Sequence, residues 1–574
     1  MSKHKKFGNT VKTVQEVKTA AGDKNTAGVK NALTGTKSAR LNQRFSRIAS
    51  TLMTIYVLFY LCVFPLATRD KYFDILQFRF QLYWIPTLIY GILFLILGIL
   101  YLFTDKRDNG GALTAKLKEN LKWNVLKTKL TKTDICFIAL IFIMTLSVIF
   151  ADYQYEALWG SRGRFNGLVL WLMFFIAYWL VTRFYHFKKW HLYAYLIAAC
   201  LPEIWGITDF FMLDLLHFHV GGAAEYIYTF VSSVGNINTY TNMVALHFGA
   251  AVTLFVLSEC KWEKLLTFVA VAISSFAIVM GISDNGLLAA GAIFAFLPFV
   301  AWTSRQNITR FFITFSIFAT SVLVTAYLTT QHATIAVADG GSVLVTIGKT
   351  KAFMLLTAAL WLLTMVIAVL FHRKKSAEQE AKTTRAARRI WLVLFIVAVV
   401  AVIAVLVDAN SGRHPEIWEA YKNVLIFSDT WGTGRGINWR FAWEFFTEKS
   451  SFLDKLIGNG PDTYYIITMD NFKHLMKDAG YGIFDSAHNE YLECLVTIGV
   501  LGTIAYIGML ATSLRQMLKN RKNVYAVACG FAILAYAVQA VVNIAIPITT
   551  PIFMILLYVG INNSQSSNFE KGTL

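Results

Sequence analysis

Apolar residues in this chain gather in runs of about 17 to 25, each long enough for a helix to cross a bilayer. Fourteen can be distinguished, at roughly 48–68, 83–103, 135–151, 167–185, 191–209, 240–258, 265–282, 286–302, 311–328, 352–371, 390–407, 491–513, 524–543 and 551–562, the last one short. The pattern predicts an all-α fold, a polytopic transmembrane helical bundle of about 14 spans. It divides the chain into a basic tail over 1–47, eleven spans over 48–407, a long connection over 408–490, three spans over 491–562 and a short tail over 563–574. With 56% of 574 residues hydrophobic and only 15% charged, a single soluble core is excluded.

The polar stretches between the runs differ in charge. The first 47 residues carry eleven Lys or Arg against Glu16 and Asp23, a composition that predicts a disordered cytoplasmic tail and no cleavable signal. With the N-terminus inside, the alternate connections 104–134, 372–389 and 514–523 hold the clusters Lys106 to Lys132, Arg373 to Arg389 and Arg515 to Lys522. The fourteen-span count obeys the positive-inside bias throughout and places both termini in the cytoplasm. The net charge of +19 is therefore a topology signal and a contact with anionic membrane lipid, with no call for nucleic acid. The six cysteines lie in or beside the apolar runs without a CxxC pair, so neither a zinc site nor a disulfide framework is expected.

The same topology puts residues 408–490 outside, ahead of the twelfth span. A connection of this length points to function or to a folded cap. Other outer connections carry Trp159 to Gly167, the Gly235-Asn236-Ile237-Asn238 turn and Ser283-Asp284-Asn285. Outer arginines run against the positive-inside bias, so Arg162, Arg164, Arg435 and Arg440 ask for an anionic partner, and a guanidinium fork suits phosphate. For each of them the plainer alternative is a carboxylate such as Glu156 or Glu444, or a lipid headgroup.

His488 stands three residues before the twelfth apolar run, with Ser486 or Asn489 placed to cap the helix that begins there. A helix N-terminus and nearby arginines both disfavour a positive imidazole, which leaves a neutral ring able to act as a general base. Asn489 and Glu493, and Glu490 and Glu493, have the spacing to share a helix face and orient the ring or a bound sugar. The plainer alternative is an interfacial capping residue with glutamates suited to the helix dipole. A metal site built from Asp485, His488 and Glu490 lacks a second histidine nearby in sequence. No Gly-x-Ser-x-Gly elbow supports a serine nucleophile. A transporter would use an embedded ionisable group, for which Glu203, after Pro202, is the clearest candidate.

Gly458-x-Gly460, His488-Asn489-x-Tyr491-Leu492-Glu493 and Gly499-x-x-Gly502, preceded by Gly434-Arg435, Trp439 and the Gly235-Asn236-x-Asn238 turn, resemble the signature of the O-antigen ligase and Wzy-type polysaccharide polymerase superfamily. The resemblance implies a multi-pass glycosyltransferase of the bacterial cell membrane, metal-independent, inverting and without a cofactor. The implied donor is a glycan on undecaprenyl pyrophosphate, and the implied acceptor is a hydroxyl of a glycan, lipid or protein. His488 would be the base and Arg435 a pyrophosphate ligand, with Arg162, Arg164, Arg440, Asn489, Glu490, Glu493, Asn236 and Asn238 around the substrate. Two positions depart from the family pattern. Asp284 stands where relatives carry an arginine, and Thr497 stands where an acid often precedes the Gly-x-x-Gly turn. The competing reading is a flippase or exporter of lipid-linked oligosaccharide.

Overall fold

A computed structural model describes residues 26–161, 164–222, 229–335, 342–372 and 375–569. Its longer helices, in chain order, are α1 (Thr26–Leu58), α2 (Ile75–Asn109), α3 (Lys132–Phe150), α4 (Leu168–Phe184), α5 (Lys189–Phe210), α6 (Ile237–Leu257), α7 (Lys261–Met280), α8 (Asn285–Ala301) and α9 (Arg305–Gln331). They continue with α10 (Lys351–Phe371), α11 (Ala377–Asn410), α12 (Trp431–Glu444), α13 (Phe452–Ile457), α14 (Tyr464–Asp478), α15 (Glu490–Lys519), α16 (Val524–Gln539) and α17 (Thr550–Phe569). Among the described residues the only strands are Phe230–Val231 and Gly235–Asn236, which form one short antiparallel pair.

Each of the fourteen apolar runs lies on a helix. Among the described residues, ten helices are long and apolar enough to cross a membrane, judged by length and composition alone. α4 and α8 are apolar but shorter. α5 and α17 fall outside both groups because polar residues interrupt them, Glu203 and Asp209 in the first and Asn562 to Ser564 in the second. The basic tail is shorter than its composition suggests. Residues 26–47 belong to α1, whose Lys and Arg are ordinary helix formers, while residues 1–25 lie outside the described residues.

The chain forms two compact units. In the smaller, made of residues up to Leu52 and Tyr90–Leu130, the rings of Phe45 and Tyr101 pack 4.8 Å apart. There the Asp105 carboxylate caps the helix Ala112–Leu121 by accepting from Thr114 N at 2.7 Å. The larger unit holds everything else and is centred on α6, which is buried along its whole apolar window and packs against α16, α7 and α8. α10 and α11 are exposed over most of their length, as suits surfaces that meet hydrocarbon.

The connection 408–490 is a folded cap. α12 and α14 enclose an apolar core, closed by Val496 of α15, in which Phe441 stacks on Phe472 with centroids 4.4 Å apart and Ile437, Tyr464 and Met476 are buried. The cap meets α15 through two glycines. Gly499 has φ 67° and ψ −177°, a conformation open essentially to glycine alone, and it kinks α15 where Leu456 passes close by. A Cβ on Gly499 would lie 2.4 Å from the Leu456 backbone, and one on Gly458 would lie 2.2 Å from Thr497 O. Gly460 N donates to Thr497 O at 2.9 Å across the same seam. Gly499→Ala is therefore expected to cost roughly 1–3 kcal/mol in backbone strain alone. Lower yield and a lower melting temperature of the purified protein would register this cost.

Candidate active site

The Gly-rich run at the start of α12 sets the direction of its side chains. Gly432, Thr433 and Gly434 all have positive φ, so regular helix begins at Arg435. A Cβ at Gly434 would meet Tyr481 at 2.5 Å, which makes the left-handed turn and the close packing inseparable. Arg435 Nη1 donates to Gly432 O at 2.9 Å, while its Nε is buried with no hydrogen-bond partner. No carboxylate lies within 4.0 Å of it among the described residues. Burial holds the Arg435 pKa below its ordinary value despite the opposing charge of Asp284. A part-buried guanidinium without a carboxylate partner has the donors to take an anion.

Two residues further along the helix, α12 fixes the loop that carries the histidine. Asn438 Nδ2 donates to Ser486 O at 2.8 Å and Trp439 Nε1 donates to Ala487 O at 3.0 Å. Tyr464 of α14 locks Asn438 in turn, its hydroxyl donating to Asn438 Oδ1 at 2.7 Å. From the far side Glu493 Oε2 accepts from Ala487 N at 3.2 Å. His488 then takes φ 48°, a left-handed conformation uncommon outside glycine and concentrated at functional sites. Asn489 caps α15, accepting from Tyr491 N and Leu492 N at 3.1 Å each. Burial first, then the charges of Arg435 and Arg164, bring the His488 pKa down to about 4, against the weaker opposing pull of Asp485. The imidazole is neutral at pH 7.

Arg164 reaches this site from the connection between α3 and α4. Its Nε donates to Asp485 Oδ2 at 3.1 Å, and its Nη2 lies 2.5 Å from Asp485 Oδ1. The arm that carries it is held by Asp462, which is buried and takes φ 63°. Asp462 Oδ2 accepts from both Ser161 N (3.1 Å) and Asn166 N (3.0 Å). Burial raises the Asp462 pKa to about 7, with the two backbone N–H groups and Arg164 pulling the other way. A carboxyl whose folded pKa is raised binds more protons folded than unfolded, so its contribution favours folding below pH 4 and is lost as pH rises through 7. Asp462→Asn keeps an acceptor for both N–H groups and removes the titration. At pH 8 it is expected to raise the melting temperature, by at most about 4 kcal/mol in stability terms. At pH 5, melting scans should show a smaller difference.

The remaining candidates are distributed unevenly. Asn236 caps α6 by accepting from Asn238 N at 2.9 Å. Asn238 Oδ1 accepts from Ser283 Oγ (2.7 Å) and Asn285 Nδ2 (3.3 Å), and so holds the turn that presents Asp284. Asp284 accepts from Val343 N at 3.0 Å, and burial raises its pKa while Arg435 lowers it. The position where an arginine was expected thus holds an acid that faces one. The Glu490 carboxyl is taken up inside the bundle by the hydroxyls of Tyr506 and, at 3.1 Å, Tyr536. Arg440 departs from expectation. It is half exposed and forks onto Asp429 at 3.0 and 2.7 Å, because the kink before Arg435 turns position 440 to solvent. Arg162 lies outside the described residues.

Asp462, Asp485, Asn438 and Tyr464 escaped the sequence reading as site residues, although Gly-Pro-Asp at 460–462 is a turn signal that draws the eye to the first. Glu203 is fully buried and accepts, or shares a proton with, His247 Nδ1 at 2.6 Å between α5 and α6. Two groups among the described residues have their ligand atoms close enough for a metal, Cys200 with Glu203 and His247, and Asp209 with Asp214 and His219. Neither includes His488.

Residues 340–507 match the Wzy_C family of O-antigen ligases, a stretch that takes in α10, α11, the whole cap and the first turns of α15. The resemblance carried by His488 and Gly499 thus falls within the matched region. No curated protein matches the chain. The match and the apolar helices together suggest a bacterial membrane protein of surface-polysaccharide ligase or polymerase type.

Proposed function

We propose that this protein transfers a glycan from undecaprenyl pyrophosphate to an acceptor hydroxyl at the outer face of the cell membrane, with inversion and without a metal. The observation that carries the reading is a neutral, part-buried His488 close to the part-buried guanidinium of Arg435, which has no carboxylate within 4.0 Å among the described residues and a buried Nε without a hydrogen-bond partner. Arg435 would take the pyrophosphate. Arg164 would join it by giving up Asp485, and the family match over residues 340–507 supports the same substrate class.

In this reading the acceptor oxygen attacks the anomeric carbon from the face opposite the leaving group. The carbon–oxygen bond to the pyrophosphate breaks, and its electron pair leaves on undecaprenyl pyrophosphate. The hydroxyl proton passes to the His488 imidazole. Two arginines next to the departing oxygens stabilise the charge that grows there, the service a metal ion gives in other phosphate chemistry.

An imidazole with a pKa near 4 is a feeble base, made so by burial first and by Arg435 and Arg164 second. Binding the donor reverses that field, because pyrophosphate charge neutralises Arg435 and Arg164 and raises the proton affinity of the ring. The base becomes competent only when the donor is in place.

Purified protein in lipid nanodiscs, given undecaprenyl-pyrophosphate glycan and acceptor, should release undecaprenyl pyrophosphate in step with new glycosidic bonds. A flippase would move the donor without releasing it, and would depend on the buried Glu203–His247 pair. Donor translocation with no pyrophosphate release would sink the transferase reading.

A further inference from the structure

At the end of α15 away from His488, the larger unit has an open cleft of about 1030 Å³. It is walled by the start of α9, the end of α6, the end of α10 and the α15–α16 turn. α15 is 30 residues long, about 45 Å, so the cleft and the histidine lie at opposite ends of one span. Six Lys or Arg line the cleft, Lys264, Arg305, Arg310, Lys375, Arg521 and Lys522, opposed by Glu259 and Glu380.

Two of these charges are fixed in place. Arg310 Nη1 donates to Val256 O (3.2 Å) and Ser258 O (2.5 Å), which closes the end of α6. Arg305 lies over the Phe371 ring, 5.0 Å from its centroid, and its Nη2 donates to Thr383 Oγ1 at 3.2 Å. Its Nε and Nη1 are buried without a hydrogen-bond partner, and Glu380 Oε2 stands 3.8 Å from Nε, beyond bonding range. Among the described residues no carboxylate lies within 4.0 Å of Lys264, Lys375, Arg521 or Lys522. The N-terminus of the 27-residue α9, capped by Ser304, borders the same space, and there Glu380 Oε1 accepts from Arg305 N at 2.7 Å.

The cleft therefore combines six cations against two acids, with four of the cations more than 4.0 Å from any carboxylate among the described residues and the Arg305 guanidinium in only a long ion pair with Glu380. It is far too large for a single ion, and its rim carries apolar Leu257, Phe371 and Val524. We propose that it binds a phosphate-bearing anion, either the headgroup phosphate of an acidic membrane phospholipid or a soluble phosphate ester. Basic pockets between membrane helices recognise headgroups by this chemistry. The site is separate from the glycan-transfer site and does not depend on that reading.

The test uses the full chain in nanodiscs of phosphatidylcholine alone or mixed with phosphatidylglycerol, with lipid carried through delipidation counted by native mass spectrometry. The wild-type protein should retain phosphatidylglycerol and melt higher in its presence. Arg521→Gln with Lys522→Gln should weaken retention about 30-fold, the effect of two basic residues near an anionic headgroup. Arg305→Lys, which keeps the charge and loses the fork, should weaken it less. Lys519→Gln, an exposed charge on the same end of α15 but outside the cleft, should change nothing.

A soluble occupant would show itself instead in phosphatidylcholine nanodiscs, where inorganic pyrophosphate would raise the melting temperature of the wild type but not of the double variant. The proposal is overturned if neither phosphatidylglycerol nor pyrophosphate stabilises the protein beyond sodium chloride at equal ionic strength. It is overturned equally if Lys519→Gln weakens retention as much as the cleft variants.

Discussion

Replacing His488 with alanine is expected to lower glycan transfer by about 10²–10⁴-fold, the range that a positioned general base supplies, with the protein inserted and folded as before. The structural grounds for separating activity from folding are specific. The loop around His488 is held by Asn438, Trp439 and Glu493 through the backbone of residues 486–487, and none of those bonds uses the imidazole. The pH profile should carry a second signature. In the free enzyme the ring titrates near 4, so kcat/KM should stay level from pH 8 down to about 5 and fall only as protonation sets in. Once the donor has neutralised Arg435 and Arg164, the ring holds its proton more tightly, and the acid limb of kcat should lie at higher pH than that of kcat/KM. Coincident limbs would mean that the donor does not reach the arginines. A His488→Ala variant with undiminished transfer would remove the residue from the chemistry altogether.

Arg435→Leu carries the next largest effect, about 10²–10³-fold in transfer rate, the loss typical when one group stabilising a growing anion is removed. Its effect on stability should run the other way. Arg435 is part-buried, its Nε is buried without a partner and its one side-chain hydrogen bond is to the carbonyl of Gly432, so an apolar side chain of similar bulk relieves more than it loses. The melting temperature of the Leu variant should equal or exceed that of the wild type. Arg435→Lys should recover part of the rate, because it restores the charge without the planar fork. If rate and melting temperature fall together, Arg435 is holding α12 in place and the anion site lies elsewhere.

The helices were legible in the sequence because burial in lipid demands unbroken apolar runs, and all fourteen runs became helix. The start of α1 was not, since a basic helix and a basic tail have the same composition. At the candidate site, His488 and Arg435 stood out because each sits in a local signature. Arg440, five residues on and equally basic, offered the same signal. Only the backbone turn at Gly432 to Gly434 decides which of the two faces inward, and that depends on Tyr481 packing where a Cβ would go. Asp462 and the arm that carries Arg164 were the hardest to pair, because 301 and 296 residues separate Asp462 from Ser161 and Asn166 and no periodicity reports such contacts. Asp485 was visible as a neighbour of His488, yet its ion pair with Arg164 is a matter of three-dimensional placement.

The close backbone approach of Gly458 to Thr497 and of Gly499 to Leu456 has a practical corollary for exchanging parts between related enzymes. The cap cannot be cut at residue 490, where the apolar run begins, and joined to a foreign span, because its floor is the kink one-third of the way into α15. Gly460 N also donates to Ser147 Oγ of α3 at 2.9 Å, which extends the same unit to a helix more than 300 residues earlier. A chimaera intended to change the acceptor therefore has to carry residues 408–502 together with the 147–167 arm.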